Sequence, residues 1–138
     1  MQALSVILLD THVVLWWQAG GGRLSHRVAR EIAKADTILI SPISCWEIGE
    51  LLVKGRVELD RELYTWMRDL FREEQIELAP LTPQAAVGAA LLGEVGFHGD
   101  PADRILYATA QELSVPLATK DGKIHEFARS VSSLKTIW

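Results

Sequence analysis

The stretch LSVILLDTHVVLWW, residues 4–17, sets the reading of the whole chain. From Leu4 to Leu9 the residues are apolar apart from Ser5, with no polar alternation, as in a strand buried on both faces of a parallel sheet. Asp10 and Thr11 end that run, and Val13, Val14 and Trp17 then recur at helical spacing. A buried strand, a carboxylate at its end and a helix directly after it make the first half of a strand-helix-strand unit.

The same alternation continues to the end of the chain. A helix from about Ser25 to Ala35, with Ser25 as its N-cap, leads to a second strand, Thr37 to Ile40. Ser41-Pro42 pairs a cap with proline at the first helical position and opens a helix to about Lys54, stopped at Gly55. Asp60 is the expected cap of a further helix that turns Leu63, Trp66, Met67 and Leu70 to a core, and Ile76 to Leu78 is a short strand. Thr82-Pro83 opens a helix to about Gly93, and another runs from about Ala102 to Glu112. Val115 to Ala118 and Leu134 to Ile137 are strands on either side of a helix capped by Asp121 and reaching about Ser130. Strands joined by single helices or helix pairs imply right-handed crossovers. The expected fold is α/β, a three-layer α/β/α sandwich around a mainly parallel central sheet.

With 138 residues, 49% of them hydrophobic, one domain spanning 1–138 can bury about two thirds of its unfolded surface without disulfides or a structural zinc. The single cysteine, Cys45, has no internal partner and lies in an apolar neighbourhood beside Trp46. The net charge of −4 disfavours a broad basic face for nucleic acid, although a sum says nothing of where each sign is concentrated. The apolar run Val6 to Leu9 is too short to span a bilayer, and a cytoplasmic chain with no membrane contact is the simplest expectation.

Ligands of open parallel α/β sheets gather beyond the carboxyl ends of the strands. Four polar stretches fall there, and each brings a carboxylate: Asp10, Glu47, the pair Asp100 and Asp103, and Asp121. Singly, most have an ordinary role. Asp10 and Asp121 can cap the helices that follow them, and Asp100 can cap the helix carrying Asp103 three residues on. Glu47 has no such role, because Pro42 starts its helix and leaves Glu47 in the second turn. Together, two carboxylates about 4 Å apart repel by about 4 kcal/mol at an effective dielectric of 20. Protonation, an arginine or a hard divalent cation relieves that, and an all-oxygen set suits Mg²⁺ or Mn²⁺. His12, His26, His98 and His125 lack zinc-ligand spacing.

The segments LLDTHVVLWW from Leu8, SCWEIGELLVKGRVEL from Ser44, HGDPADRILYATA from His98 and LATKD from Leu117 resemble the PIN-domain ribonucleases, in particular the VapC-type toxins of toxin-antitoxin pairs. The resemblance covers nearly the whole chain. It implies that Asp10, Glu47 and Asp103 are the core acids, with Asp121 a more variable fourth, holding one or two Mg²⁺ or Mn²⁺ ions for hydrolysis of RNA. It also implies that Thr11 and Thr119 stand near the metal and that Asp100 is a cap associated with the motif. His12 has no assignment in the pattern, and touches substrate or caps. A homodimer silenced by a VapB-type antitoxin is expected, with the helices Ser25–Ala35, Pro42–Lys54 and Asp60–Phe71 as candidates for the groove.

Arg104, Lys54, Arg56, Lys120 and Lys123 lie near the acids in sequence and are candidate phosphate contacts, and Arg104 is alternatively a brace for the acids. Trp16, Trp17 and Trp66 are core or interface candidates, where an exposed one would mark a partner groove in preference to base stacking. A haloacid dehalogenase-type phosphatase needs a second aspartate two residues after Asp10, where His12 stands. A signalling receiver needs a separate acceptor aspartate that the spacing does not supply. A catalytically inactive PIN-like binding module is the remaining alternative.

Overall fold

The computed structural model describes residues 4–131 and 134–138. Five strands, β1 (Val6–Leu9), β2 (Thr37–Ile40), β3 (Ile76–Leu78), β4 (Leu117–Ala118) and β5 (Thr136–Ile137), form one sheet in the order β3-β2-β1-β4-β5. Every pairing is parallel, with Leu8 beside Leu39 on one side and Leu117 on the other. Strands that pair in parallel need long crossovers, and helices supply them: α1 (Thr11–Gln18), α2 (His26–Lys34), α3 (Pro42–Val53), α4 (Leu63–Phe71), α5 (Pro83–Leu91), α6 (Pro101–Leu113) and α7 (Gly122–Val131).

The period-two geometry of a strand divides the core into two layers. Ile7, Leu9, Ile38, Ile40 and Ile76 face one layer, where Val13, Val14, Val28, Ile32, Trp66 and Leu70 of α1, α2 and α4 cover them. Leu8, Leu39 and Leu117 face the other, against Ala89, Leu106, Tyr107, Ile124 and Ala128 of α5, α6 and α7. The sheet is thus covered on both faces, which explains why β1 and β2 carry no polar alternation. Leu106 is fully buried in the second layer. Its replacement by alanine is expected to cost about 3 kcal/mol, read as a melting temperature lower by about 10 °C.

The boundaries differ from expectation where a local donor decides them. β1 starts at Val6, because Leu4 is 77% exposed and the Ser5 carbonyl turns to the amides of Asp36 and Thr37. β4 is confined to Leu117–Ala118, following Pro116, which has no amide hydrogen to give a ladder. The cap of α4 is Glu62 and not Asp60. The Asp60 carboxylate is gripped by the neighbouring Arg61 guanidinium at 2.8 and 2.9 Å, whereas Glu62 accepts from the amides of Tyr64 and Thr65. Ser25, Ser41, Thr82 and Asp100 cap their helices as their sequence positions suggest. Cys45 is half-buried, and Trp46 beside it is 60% exposed on the outer face of α3. Among the described residues no helix is long and apolar enough to cross a membrane.

The strand order reverses between β1 and β4, since the chain builds outward to β3 on one side and later to β5 on the other. At such a switch point the connections leave in opposite directions and open a crevice beyond the carboxyl ends of the strands. Asp10 follows β1 there, and Thr119 to Asp121 follow β4.

Candidate metal centre

Asp10 sits at the end of β1 and caps α1, accepting from the Thr11 amide at 2.6 Å. Its other oxygen accepts from the Thr119 hydroxyl at 2.6 Å, and that hydroxyl also accepts from the Asp121 amide at 3.0 Å. One side chain after β4 therefore holds the carboxylate after β1 and the turn that carries Asp121. Capping and a site role coincide in Asp10, because its side chain closes the helix from the same edge that faces the crevice.

Glu47 lies in the second turn of α3, three residues after Ser44 and on the same face. The buried Thr11 hydroxyl donates to Glu47 Oε1 and lies 2.9 Å from the buried Ser44 hydroxyl. A carboxylate only accepts, so the single Thr11 proton goes to Glu47, and Ser44 supplies its own proton to Thr11. The sequence reading assigns Ser44 no role in the site. Its spacing to Glu47 is the signal that could have assigned it.

Asp103 stands in the first turn of α6, where its amide donates to the Asp100 carboxylate at 2.9 Å. The approach is closed by Gly99. A Cβ there would lie 2.6 Å from the Phe97 ring and 3.2 Å from the Asp103 Cβ, so only glycine lets the loop pass between the two. Phe97 is itself fixed by stacking on Phe127 at 5.1 Å and by the Tyr107 ring at 5.5 Å.

Asp10, Glu47, Asp100, Asp103 and Asp121 line one cleft of about 410 Å³, with His12, Trp16 and Lys120. Chain segments as distant as residues 10 and 121 meet here. Burial and mutual repulsion show in the acidities. Burial pushes Asp10 up against the pull of its Thr119 and Thr11 hydrogen bonds. Burial also raises Glu47, opposed by the Thr11 hydrogen bond and reinforced by Asp10 and Asp100. Asp103 is pushed up to about 8, first by burial and then by Asp100, Asp10, Asp121 and Glu47 in turn. Four neighbouring acids acting on one carboxyl amount to uncompensated negative charge at one point.

The donor set is all oxygen, which suits a hard divalent cation and not zinc. Among the described residues, however, no group of three or more acidic, histidine or cysteine side chains stands ready-made around one ion position. Local donors account for this: Thr119 and the Thr11 amide take both oxygens of Asp10, Thr11 takes one of Glu47, and the Lys123 amide takes one of Asp121 at 2.8 Å. The acids share a cleft, with their oxygens engaged by these donors and not gathered around one point.

Thr11 and Thr119 lie behind the acids, buried, and not in the cleft. His12 is exposed at its rim. Arg104 is neither brace nor rim: its guanidinium runs toward Gly93, and its Nε is buried without a partner. Lys54 is paired with Glu50 at 3.7 Å, and Lys123 lines a separate hollow with Phe97 and His98. His125 had been given no part. Its Nε2 donates to the Thr119 carbonyl at 2.6 Å, since a carbonyl only accepts, and its Nδ1 accepts from the Thr136 hydroxyl at 2.6 Å.

Thr119→Val keeps the shape and removes the hydroxyl that joins Asp10 to the Asp121 turn. Activity is expected to fall by about 10- to 100-fold, with Thr119→Ser recovering most of it, measured as initial rates of RNA cleavage. Wild-type rates in the valine variant would refute this role for Thr119.

The PIN domain family model matches residues 7–130. The chain belongs to the PIN-domain family. Ribonuclease VapC22 of Mycobacterium tuberculosis (strain ATCC 25618 / H37Rv) is 36% identical to this PIN domain over 137 residues, which is 98% of this chain and 100% of that protein. Two solved structures share the fold at low identity. VapBC-1 from nontypeable Haemophilus influenzae is 18% identical, covers 96% of both chains and superposes with a TM-score of 0.65. VapBC-5 from Mycobacterium tuberculosis, a member of the VapBC family of toxin-antitoxin systems, is 19% identical, covers 96% of this chain and 98% of its own, and has a TM-score of 0.58. Family membership sets aside the haloacid dehalogenase and receiver readings.

Proposed function

We propose that this PIN domain, one domain over residues 1–138, is a cytoplasmic endoribonuclease toxin that hydrolyses RNA phosphodiester bonds with Mg²⁺ or Mn²⁺. The observation that carries the reading is the convergence of five carboxylates on one cleft at the sheet's switch point. The VapC22 relative, named a ribonuclease, supports the substrate class.

Asp10, Glu47 and Asp103 would hold the metal, with Asp121 as a fourth ligand. When bound, the ion supplies charge neutralisation, polarisation of a phosphate oxygen and a more acidic water. The chain does the rest. Thr119 and Thr11 keep the Asp10 and Glu47 carboxylates aimed by donating to them. Lys120, at the rim, meets a phosphate oxygen, and a carboxylate of the cluster takes the proton of the attacking water. The new P–O bond forms to water and the bond to the 3′ oxygen breaks, that oxygen taking a proton from solvent, which leaves a 5′-phosphate and a 3′-hydroxyl. The RNA 2′-hydroxyl is not the nucleophile.

The same negative cleft suits a basic segment of a VapB-type antitoxin, and relatives of this fold are named as toxin-antitoxin complexes. A homodimer completes the proposed assembly. Of the helices expected to form the antitoxin groove, α3 and α4 line the hollow beside the cleft, together with α1 and the segment 56–60.

The test is cleavage of total cellular RNA by the chain freed of antitoxin, with the product ends sequenced. Cleavage that stops with EDTA, returns with Mg²⁺ or Mn²⁺ and leaves 5′-phosphates is expected. Cyclic 2′,3′-phosphate ends, or cleavage indifferent to EDTA, contradict the mechanism.

A further inference from the structure

Resting on the ribonuclease reading, we propose that Trp16, with Arg23 and Lys120, forms a nucleotide subsite beside the acid cleft, taking one unpaired nucleotide of single-stranded RNA next to the scissile phosphate. The acid cleft and a neighbouring groove of about 750 Å³ share two lining residues, His12 and Trp16, so the two are continuous. At that junction the Arg23 guanidinium lies 4.6 Å from the centre of the Trp16 ring, and the Lys120 ammonium lies 5.8 Å from it. The His12 ring stands 5.7 Å away and the Trp138 ring 5.8 Å away. An indole with two cations over its ring brings together what a single strand needs, an aromatic surface for a base, which stacks by displacing a cation from the ring, and positive charge for its phosphates.

Arg23 and Lys120 are held by aromatic rings and not by carboxylates. Arg23, Lys120 and the groove's Arg56 form no ion pair among the described residues. Of the two acids in the groove, Asp60 is held by Arg61, which leaves Glu58. The acid cleft and this rim therefore carry opposite signs side by side. An RNA strand with its scissile phosphate at the acids brings its next phosphate to Arg23 and Lys120. The single strand follows from the ring's position. Trp16 is half-buried between the two hollows, and a base inside a duplex stack cannot reach it.

The test is steady-state cleavage of a single-stranded RNA oligonucleotide spanning a mapped site, of the same sequence held in a duplex, and of versions with an abasic residue on either side of the scissile phosphate. The full-length chain and its Trp16→Ala, Trp16→Phe and Arg23→Ala variants are compared. The wild-type chain is expected to prefer the single strand. Trp16→Ala is expected to lower kcat/KM by about 10- to 100-fold, mainly through KM, with Trp16→Phe recovering most of the loss. An abasic residue at one flanking position costs the wild type a similar factor and costs Trp16→Ala nothing further. Should Trp16→Ala not fold, exposed Arg23 keeps the idea testable: Arg23→Ala is expected to reduce the salt slope of log KM by about 0.7, one phosphate contact on a single strand. Abasic penalties undiminished in Trp16→Ala, or an unaltered salt slope in Arg23→Ala, overturn the subsite and leave the groove to a peptide partner. A wild-type chain that cleaves no RNA with Mg²⁺ or Mn²⁺ overturns the underlying ribonuclease reading instead.

Discussion

Asp10→Asn is expected to lower RNA cleavage by roughly 10³-fold while the chain stays folded. Asparagine has the shape of aspartate, and its carbonyl oxygen can still cap α1 by accepting from the Thr11 amide. What disappears is the negative oxygen that Thr119 holds in place. Loss of one anionic ligand removes several kcal/mol of metal-linked charge stabilisation from the transition state, and 4 kcal/mol corresponds to about three decades of rate. Stability points the other way. Asp10 is 8% exposed and its burial works against ionisation, so a neutral replacement costs the fold little. Initial rates and thermal melts on the same preparation check both halves. An Asp10→Asn chain that cleaves at the wild-type rate would remove Asp10 from the site.

Asp103→Asn is expected to produce the sharper contrast, a chain that loses about 10²- to 10³-fold in cleavage and melts at a higher temperature in EDTA at pH 8. The sign follows from the raised pKa of about 8, against about 3.9 in an unfolded chain. Below pH 4 the carboxyl is neutral in both states and exerts no pull. Between pH 4 and 8 the unfolded chain gives up a proton that the folded chain retains, so stability falls as pH rises. Above pH 8 both states are ionised and the whole penalty is in force. Solvent reaches part of this carboxyl, so the recoverable stability is about 1–2 kcal/mol, or about 3–7 °C in melting temperature. The variant should also flatten the decline between pH 5 and 8. A wild-type melting curve that rises over that range in EDTA would contradict the crowding of acids around Asp103.

Carboxylate crowding also explains what the net charge of −4 conceals. Five acids collect in one cleft, and Arg23, Arg56 and Lys120 at its margin and in the adjoining groove form no ion pair among the described residues. A sum over the chain cannot report that separation, because signs that are mixed in sequence are sorted only by folding.

How far the chain could be read in advance varies with how local the cause is. β2 and β3 match to the residue, and Ser25, Ser41 and Thr82 cap where expected, because apolar runs and cap-plus-proline pairs act within a few residues. The Asp60 cap was misjudged because Arg61 and Glu62 compete one and two residues on, and either outcome is compatible with the sequence. Asp10, Glu47, Asp103 and Asp121 could be singled out as acids at strand ends and helix starts. Thr11 and Thr119 were placed near the acids only through the family resemblance, and which acid each one holds could not be read, since Thr119 to Asp10 spans 109 residues and the contacts of His125 depend on how β4 and β5 pair. Arg104 was misplaced for the same reason, since its position in α6 near Asp103 does not say that its guanidinium runs to Gly93.

The most direct measurement is Mn²⁺ binding by the full chain, read as loss of the free-ion electron paramagnetic resonance signal at pH 7.5. Saturable binding is predicted for the wild type, greatly weakened in both Asp10→Asn and Asp103→Asn, whose substitutions lie 93 residues apart and meet only in the cleft. Equal Mn²⁺ binding by all three chains would contradict the acid cluster as the metal centre.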